Sequence, residues 1–235
     1  MSNIVIVIPT YNPTQLLLDT LMDLDSYPEL RALPKLIVND GSVYGSEYLI
    51  EAKKNPSVIL VNHDVNLGKG AAIKTAIQFL MGHRSELKYM LTVDSDRQHL
   101  GKDVLSVVQS IISNGTGMHI GFRQLKKEKT PVRSFWGNLF SRKFFYCFYG
   151  VELQDTQSGL RAYPKSCLPD LVKLKSQRYE FEMEAIINTL SRKVKIYETP
   201  IEAVYFNKNQ SSHFRPIVDS VKVVWVIMKM KFPKF

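Results

Sequence analysis

The first half of the chain is a series of short apolar runs, each broken off by a polar turn, and that rhythm leaves few folds open. The runs are residues 4–8, 36–38, 57–61, 89–93 and 118–121. They are rich in β-branched residues and short enough to be strands buried on both faces. Helical stretches stand between several of them. Thr14 can cap a helix reaching residue 24, and residues 71–81 and 102–113 carry helical patterns. Strands alternating with helices imply an α/β fold with a mostly parallel central sheet flanked by helices.

The second half reads differently. Residues 135–149 are helical and aromatic-rich, with Phe135, Trp136, Phe140, Phe144, Phe145, Phe148 and Tyr149. These are too many for one stripe, so burial is favoured over an acceptor groove. Residues 179–190 alternate acids with apolar residues, 194–197 and 201–205 have strand periodicity, and 220–230 suit an amphipathic helix.

Chemistry-bearing residues follow directly after the predicted strands. They are Pro9-Thr10-Tyr11-Asn12, Asp40-Gly41-Ser42, Asn66-Leu67-Gly68-Lys69-Gly70 and Asp94-Ser95-Asp96-Arg97-Gln98. The tips of parallel strands share one edge, where open α/β sheets bind ligands. Asp94 and Asp96 with the Gln98 amide are hard oxygen donors, suited to Mg²⁺ or Mn²⁺ and through it to a diphosphate. The glycines around Lys69 let a backbone and an ammonium approach phosphate at a helix start. This segment is neither a dinucleotide fingerprint nor a Walker loop, because Ile73 stands where a small residue is needed and no Gly-Lys-Ser/Thr follows. A further cluster, Asp155-Thr156-Gln157-Ser158-Gly159-Leu160-Arg161, can position a reacting hydroxyl or an anion, or can be a capping turn. Ser211-Ser212-His213-Phe214-Arg215 reads alone as a polar surface loop. His63, His83 and His119 lack ligand spacing and read as structural.

The net charge of +9 is concentrated in residues 122–143 and 208–235, which together exceed the whole surplus. Such patches attract phosphate-rich ligands or anionic membranes, or are simply solvated faces. No nucleic-acid recognition motif accompanies them, so nucleic acid is not an expected partner. Cys147 and Cys167 show no metal spacing or disulfide framework, which suits a reducing compartment. The N-terminus shows no leader and reads as the first strand. No stretch approaches the ~20 apolar residues of a membrane span.

Taken in order and at their intervals, Pro9–Asn12, Asn39–Ser42, Asn66–Gly70, Asp94–Gln98 and Asp155–Arg161 give a sequence that resembles the family 2 glycosyltransferases of GT-A fold, most closely the dolichol-phosphate mannose synthase-like branch. The resemblance covers nearly the whole chain. It implies one domain, with residues 1–121 binding the nucleotide, 122–219 facing the acceptor and 220–235 forming an amphipathic tail. It implies an inverting hexosyltransferase using a nucleotide-diphosphate sugar, UDP-sugars favoured, with Mg²⁺ or Mn²⁺.

Under this resemblance Pro9, Thr10, Tyr11 and Asp40 hold the base and ribose, and Lys69, Asp94, Ser95 and Arg161 complete donor binding. Asp94, Asp96 and Gln98 ligate the metal. Asp155 handles the acceptor nucleophile, as base or as orienting group, and Arg123, Arg133, His213 and Arg215 contact the acceptor or other anions. The expected acceptor is a saccharide, glycan or glycoprotein, as in cell-surface polysaccharide biosynthesis, with a polyprenyl phosphate as the alternative. The expected location is cytoplasmic, peripheral at the inner face of the membrane. Residues 221–231, with Trp225 among lysines, suit an interfacial membrane helix, a core helix or a homo-oligomer contact equally. Residues 124–130 are expected to close over the donor. A nucleotidyltransferase is the rival enzyme class, but the opening Ile8–Asn12 lacks its Gly-rich signature.

Overall fold

The computed structural model describes residues 3–124, 132–202 and 216–231, without the side chains of 132–138, 140 and 216–223. The chain runs β1 (Ile4–Thr10), α1 (Gln15–Asp25), α2 (Pro28–Arg31), β2 (Lys35–Asn39), α3 (Ser46–Lys53), β3 (Val58–Asn62), α4 (Lys69–His83), β4 (Tyr89–Thr92) and α5 (Gly101–Asn114). It continues through β5 (Met118–Arg123), α6 (Val132–Tyr149), β6 (Arg161–Pro164), α7 (Leu168–Leu171), α8 (Glu180–Ser191), β7 (Ile196–Ile201) and α9 (Pro216–Lys231). Among the described residues the strands form one sheet in the order β3-β2-β1-β4-β6-β5-β7. Only β6 runs against its neighbours β4 and β5.

The five strands expected in the first half are present, and so are the helices between them. Thr14 caps α1 as expected, its Oγ1 accepting from the Leu16 amide. Two features differ in the second half. Four-residue β6 was not anticipated, because Arg161-Ala162-Tyr163-Pro164 is too short and mixed to show a period. The two strands expected around 194–205 are one strand, Ile196–Ile201, while residues 203–205 lie outside the described residues. The acid-rich segment, to which its pattern assigns no element, is helix α8, in which Glu180 and Glu184 share one face and Glu182 lies on another.

Alternation along β1 separates two cores. Val5 and Val7 face α4, α8 and Phe145, while Ile4, Ile6 and Ile8 face α1 and α5. All seven residues of β1 are buried, which is what a central strand covered on both faces requires. Phe145 is fully buried, in keeping with a core role for α6, whereas Tyr146 is exposed.

His119 lies at the start of β5, fully buried beside the Tyr89 and Tyr197 rings. Ser110 Oγ lies 2.9 Å from Nδ1, and the Gly115 carbonyl accepts from Nε2 at 3.3 Å. Burial depresses its pKa below the ordinary 6.5, outweighing the Gly115 bond. The unfolded chain therefore takes up a proton near pH 6.5 that the folded chain refuses, and stability falls as pH drops below that value. Urea unfolding at pH 7.5 and 5.5 is expected to show this loss, and His119→Gln to reduce it. An equal acid loss in the variant would assign the effect elsewhere.

Candidate active site

Parallel pairing of β1 with β2 and β4, of β2 with β3, and of β5 with β7 brings their C-terminal tips to one edge. Because β6 is antiparallel, its N-terminal end arrives at the same edge, and the segment before it delivers Asp155–Gly159 there. Pro9 and Thr10 end β1, both buried, and the Thr10 hydroxyl has no hydrogen-bond partner among the described residues. Tyr11 and Asn12 follow, partly exposed. Asn12 adopts φ 52° and ties this tip to the next, its Oδ1 accepting from the Val43 amide at 2.9 Å.

Asp40 organises the neighbouring loops. Its Oδ1 accepts from the Leu67 amide (2.9 Å) and His63 Nδ1 (2.8 Å), and its Oδ2 from the Gly68 amide (2.8 Å) and Asn66 Nδ2 (2.9 Å). His63 is in turn held through Nε2 by the Thr75 hydroxyl at 2.8 Å. The residue is 3% exposed, so its carboxylate is spent on holding the 66–68 loop that leads into α4. His63 is structural, as its sequence context implied.

Lys69 opens α4 and bridges two acids, lying 2.6 Å from Asp94 Oδ1 and 2.8 Å from Glu182 Oε1. The other Asp94 oxygen accepts from His99 Nε2 at 3.2 Å. Burial works against Asp94's charge, but Lys69 and His99 override it and hold the carboxyl far below the usual range. Burial likewise opposes the Lys69 ammonium, and Asp94 and Glu182 overcome it and raise its pKa. Asp96 behaves oppositely. Burial and the adjacent Asp94 charge raise its pKa, and its bonds are local, from the Gln98 side-chain amide (2.7 Å) and backbone (3.2 Å). Arg97, at φ 61°, makes the turn that folds Gln98 back onto Asp96. Ser95 is half-buried between the two acids.

Asp155 is fully buried and clamped by Arg123. Nε donates to Oδ2 at 2.7 Å and an Nη to Oδ1 at 3.1 Å, while the Gln157 amide adds a bond at 2.9 Å. Against burial, the Arg123 charge and these bonds keep the carboxyl below its ordinary value. Arg161, expected at the donor, sits at the start of β6. It is fully buried, and its nitrogens donate to the carbonyls of Ser158, Glu182 and Thr156. Its guanidinium joins the Asp155 segment to α8.

Gly159 lies against Asp94. A methyl group there would fall on the Asp94 carboxylate, and the Gly159 carbonyl is fixed by the Thr92 hydroxyl at 2.8 Å. Displacing a site group by about an ångström can cost about 10²-fold in rate. Gly159→Ala is expected to lose about that much activity while the melting temperature stays within a few degrees. Wild-type turnover in this variant would show that Asp94's position is not critical.

The acids suit a divalent cation. Asp96 is a half-buried carboxylate with no ion-pair partner among the described residues, in a turn with Asp94 and the Gln98 amide. Among the described residues no three His, Cys, Asp or Glu side chains converge as a complete cage. A hard ion such as Mg²⁺ can be held by one or two carboxylates and completed by substrate phosphates.

The side chain of Arg133 and all of His213, Arg215 and residues 125–130 lie outside the described residues. Glu182 enters the site without a role expected from the sequence, while His99 belongs to the Asp94–His99 cluster that the sequence marks as chemical. His99 follows Gln98 directly, and Glu182 was visible only as one of three glutamates in an otherwise apolar helix.

A sequence model described as Glycosyl transferase family 2 matches residues 5–172. An uncharacterized protein of Methanocaldococcus jannaschii, MJ1222, is 30% identical, over 97% of this chain and 92% of its own. The UDP-N-acetylglucosamine--dolichyl-phosphate N-acetylglucosaminyltransferase of Methanococcus voltae is 27% identical, over 98% of this chain and 97% of its own. Glucosyl-3-phosphoglycerate synthase from Mycobacterium tuberculosis, in a crystal structure with Mn²⁺, UDP and phosphoglyceric acid, superposes with a TM-score of 0.73 at 16% identity, over 98% of this chain and 79% of its own. Strand tips converging on paired carboxylates, together with a family match across most of the sheet, lead to one conclusion: the chain belongs to glycosyl transferase family 2, a GT-A-fold glycosyltransferase that acts on nucleotide sugars.

Proposed function

We propose that this enzyme transfers a sugar, with inversion, from a UDP-sugar to a polyprenyl phosphate. The observation that carries the choice of acceptor is the Arg123–Asp155 clamp. A hydroxyl acceptor needs a base to remove its proton. Asp155 is poorly suited to that task, since both its oxygens are engaged and its pKa is depressed. A phosphate acceptor is already anionic and needs orientation and charge compensation instead. Arg123, fixed by Asp155, and Arg133 on α6 are the candidate cations. This reading prefers the lipid-phosphate alternative over a saccharide acceptor, and the named acceptor of the M. voltae relative agrees with it.

Residues 1–121 would bind the donor, and the later residues would present the acceptor. The tips of β1 and β2, with Thr10, Tyr11 and the loops tied by Asp40, form the nucleoside side. Asp94, Asp96 and Gln98 would hold Mg²⁺ or Mn²⁺, which when bound neutralises charge building on the departing diphosphate. The Arg123–Asp155 pair lies across the edge from them, where it would aim the acceptor at the opposite face of the sugar. No helix among the described residues is long and apolar enough to cross a membrane. Lipid contact would fall to the exposed Tyr146 of α6 and Trp225 of α9, two helices joined by the Tyr149 hydroxyl donating to the Ile227 carbonyl.

The test is incubation of the protein with radiolabelled UDP-glucose or UDP-N-acetylglucosamine and Mn²⁺, offered either dolichyl phosphate in mixed micelles or soluble oligosaccharides. Label in an organic-extractable, mild-acid-labile product is expected, with EDTA removing it. Label only in the oligosaccharides would reverse the choice of acceptor.

A further inference from the structure

Lys69 already engages one oxygen of Asp94, an acid read above as a cation ligand. Its Nζ is 2.6 Å from Asp94 Oδ1, and both side chains are largely shielded from solvent, 16% and 25% exposed. At such range two positive charges on one carboxylate repel strongly, because little water screens them. The opposite end of the bridge is anchored independently. Glu182 belongs to α8, is 10% exposed on its side chain, and has its backbone carbonyl gripped by buried Arg161. The Lys69 stem is flexible and projects from the start of α4, so its ammonium can pivot on Glu182 without moving the helix.

We propose that Lys69 is a built-in counter-ion of Asp94 that must release Asp94, staying on Glu182 and turning to the donor diphosphate, before a divalent cation can bind. The inference rests on the reading of Asp94, Asp96 and Gln98 as cation ligands. Glu182 is then a positioning residue, acting through Lys69. Two consequences follow from the geometry. Cation affinity is low without nucleotide, because Lys69 competes for Asp94. Nucleotide raises it by more than its own phosphates contribute, because the diphosphate draws the ammonium away. Donor and metal therefore enter together, and the acids are not left bare between turnovers.

The experiment measures Mn²⁺ affinity of the full chain, by the electron paramagnetic resonance signal of free Mn²⁺ and by calorimetry, with and without UDP. Wild type, Lys69→Met, Glu182→Gln and Asp96→Asn are compared, with folding checked by circular dichroism. Lys69→Met is expected to bind Mn²⁺ without UDP about tenfold more tightly than wild type, equivalent to the removal of about 1.4 kcal/mol of competition. The enhancement by UDP should shrink by a similar factor. Glu182→Gln leaves Lys69 with Asp94 alone and is expected to weaken Mn²⁺ binding severalfold, both with and without UDP. Should Lys69→Met fail to fold, Glu182→Gln decides: unchanged Mn²⁺ affinity in it overturns the exchange. So does unchanged or weaker nucleotide-free binding in a folded Lys69→Met. If wild type with UDP binds no Mn²⁺, or Asp96→Asn binds as well as wild type, the cation reading itself fails and this inference with it.

Discussion

Asp96→Ala lowers sugar transfer by about three orders of magnitude and leaves the fold intact. Loss of a group that offsets charge on a leaving diphosphate is worth several kcal/mol of barrier, and each ~1.4 kcal/mol is tenfold in rate. The structural cost is small because Asp96 bonds only within its own turn, to Gln98. Its pKa is raised by burial and by the Asp94 charge, so its ionised form is under strain in the ligand-free protein. Removing that charge is expected to leave the melting temperature unchanged or slightly higher when no metal is present. Turnover under saturating donor and a thermal melt in EDTA check the two halves of the expectation. An active variant would remove Asp96 from the cation site, and an inactive one with a much lower melting temperature would assign it to structure.

Asp40→Ala should act through stability first. Four donors lose their acceptor at once: the Leu67 and Gly68 amides, Asn66 Nδ2 and His63 Nδ1. Each orphaned buried donor costs ~1–3 kcal/mol, and partial access of water at the loop reduces the total to about 4 kcal/mol. For a chain of this size that lowers the melting temperature by about 10 °C. Gly68 and Lys69 follow the released loop directly, so donor affinity should fall too, even at temperatures where the protein remains folded. Asp40→Asn keeps one acceptor oxygen and is expected to recover roughly half of the loss. A melting temperature within about 2 °C of wild type in Asp40→Ala would show that the loop holds without it, leaving a direct contact with the donor as its role.

These two aspartates mark the limit of sequence reading. Both stand within a few residues of the end of a buried strand, and both look from the sequence like ligand-binding acids. Their difference is one of surroundings. Asp40 meets donors from residues 63–68 and is saturated, whereas Asp96 meets a like charge and stays under-compensated. Asp155 and Arg161 separate in the same way. Six residues apart, both can be taken for groups that meet substrate, yet Arg161 is fully buried and donates to three backbone carbonyls. Whether a side chain faces substrate or scaffold depends on partners distant in sequence, and local pattern carries no record of them.

Periodicity and turn chemistry alone determined the alternating strands and helices, the parallel character of the sheet and the edge that carries the acids. These are properties of neighbouring residues, and the hydrophobic effect acts on them directly. Tertiary structure alone decided that β6 runs antiparallel and so delivers Asp155, that Arg123 claims this acid, and that Lys69 is shared between Asp94 and Glu182. Each of these joins groups more than twenty residues apart, and such a charge pairing exists only once packing has excluded the water that would otherwise separate them.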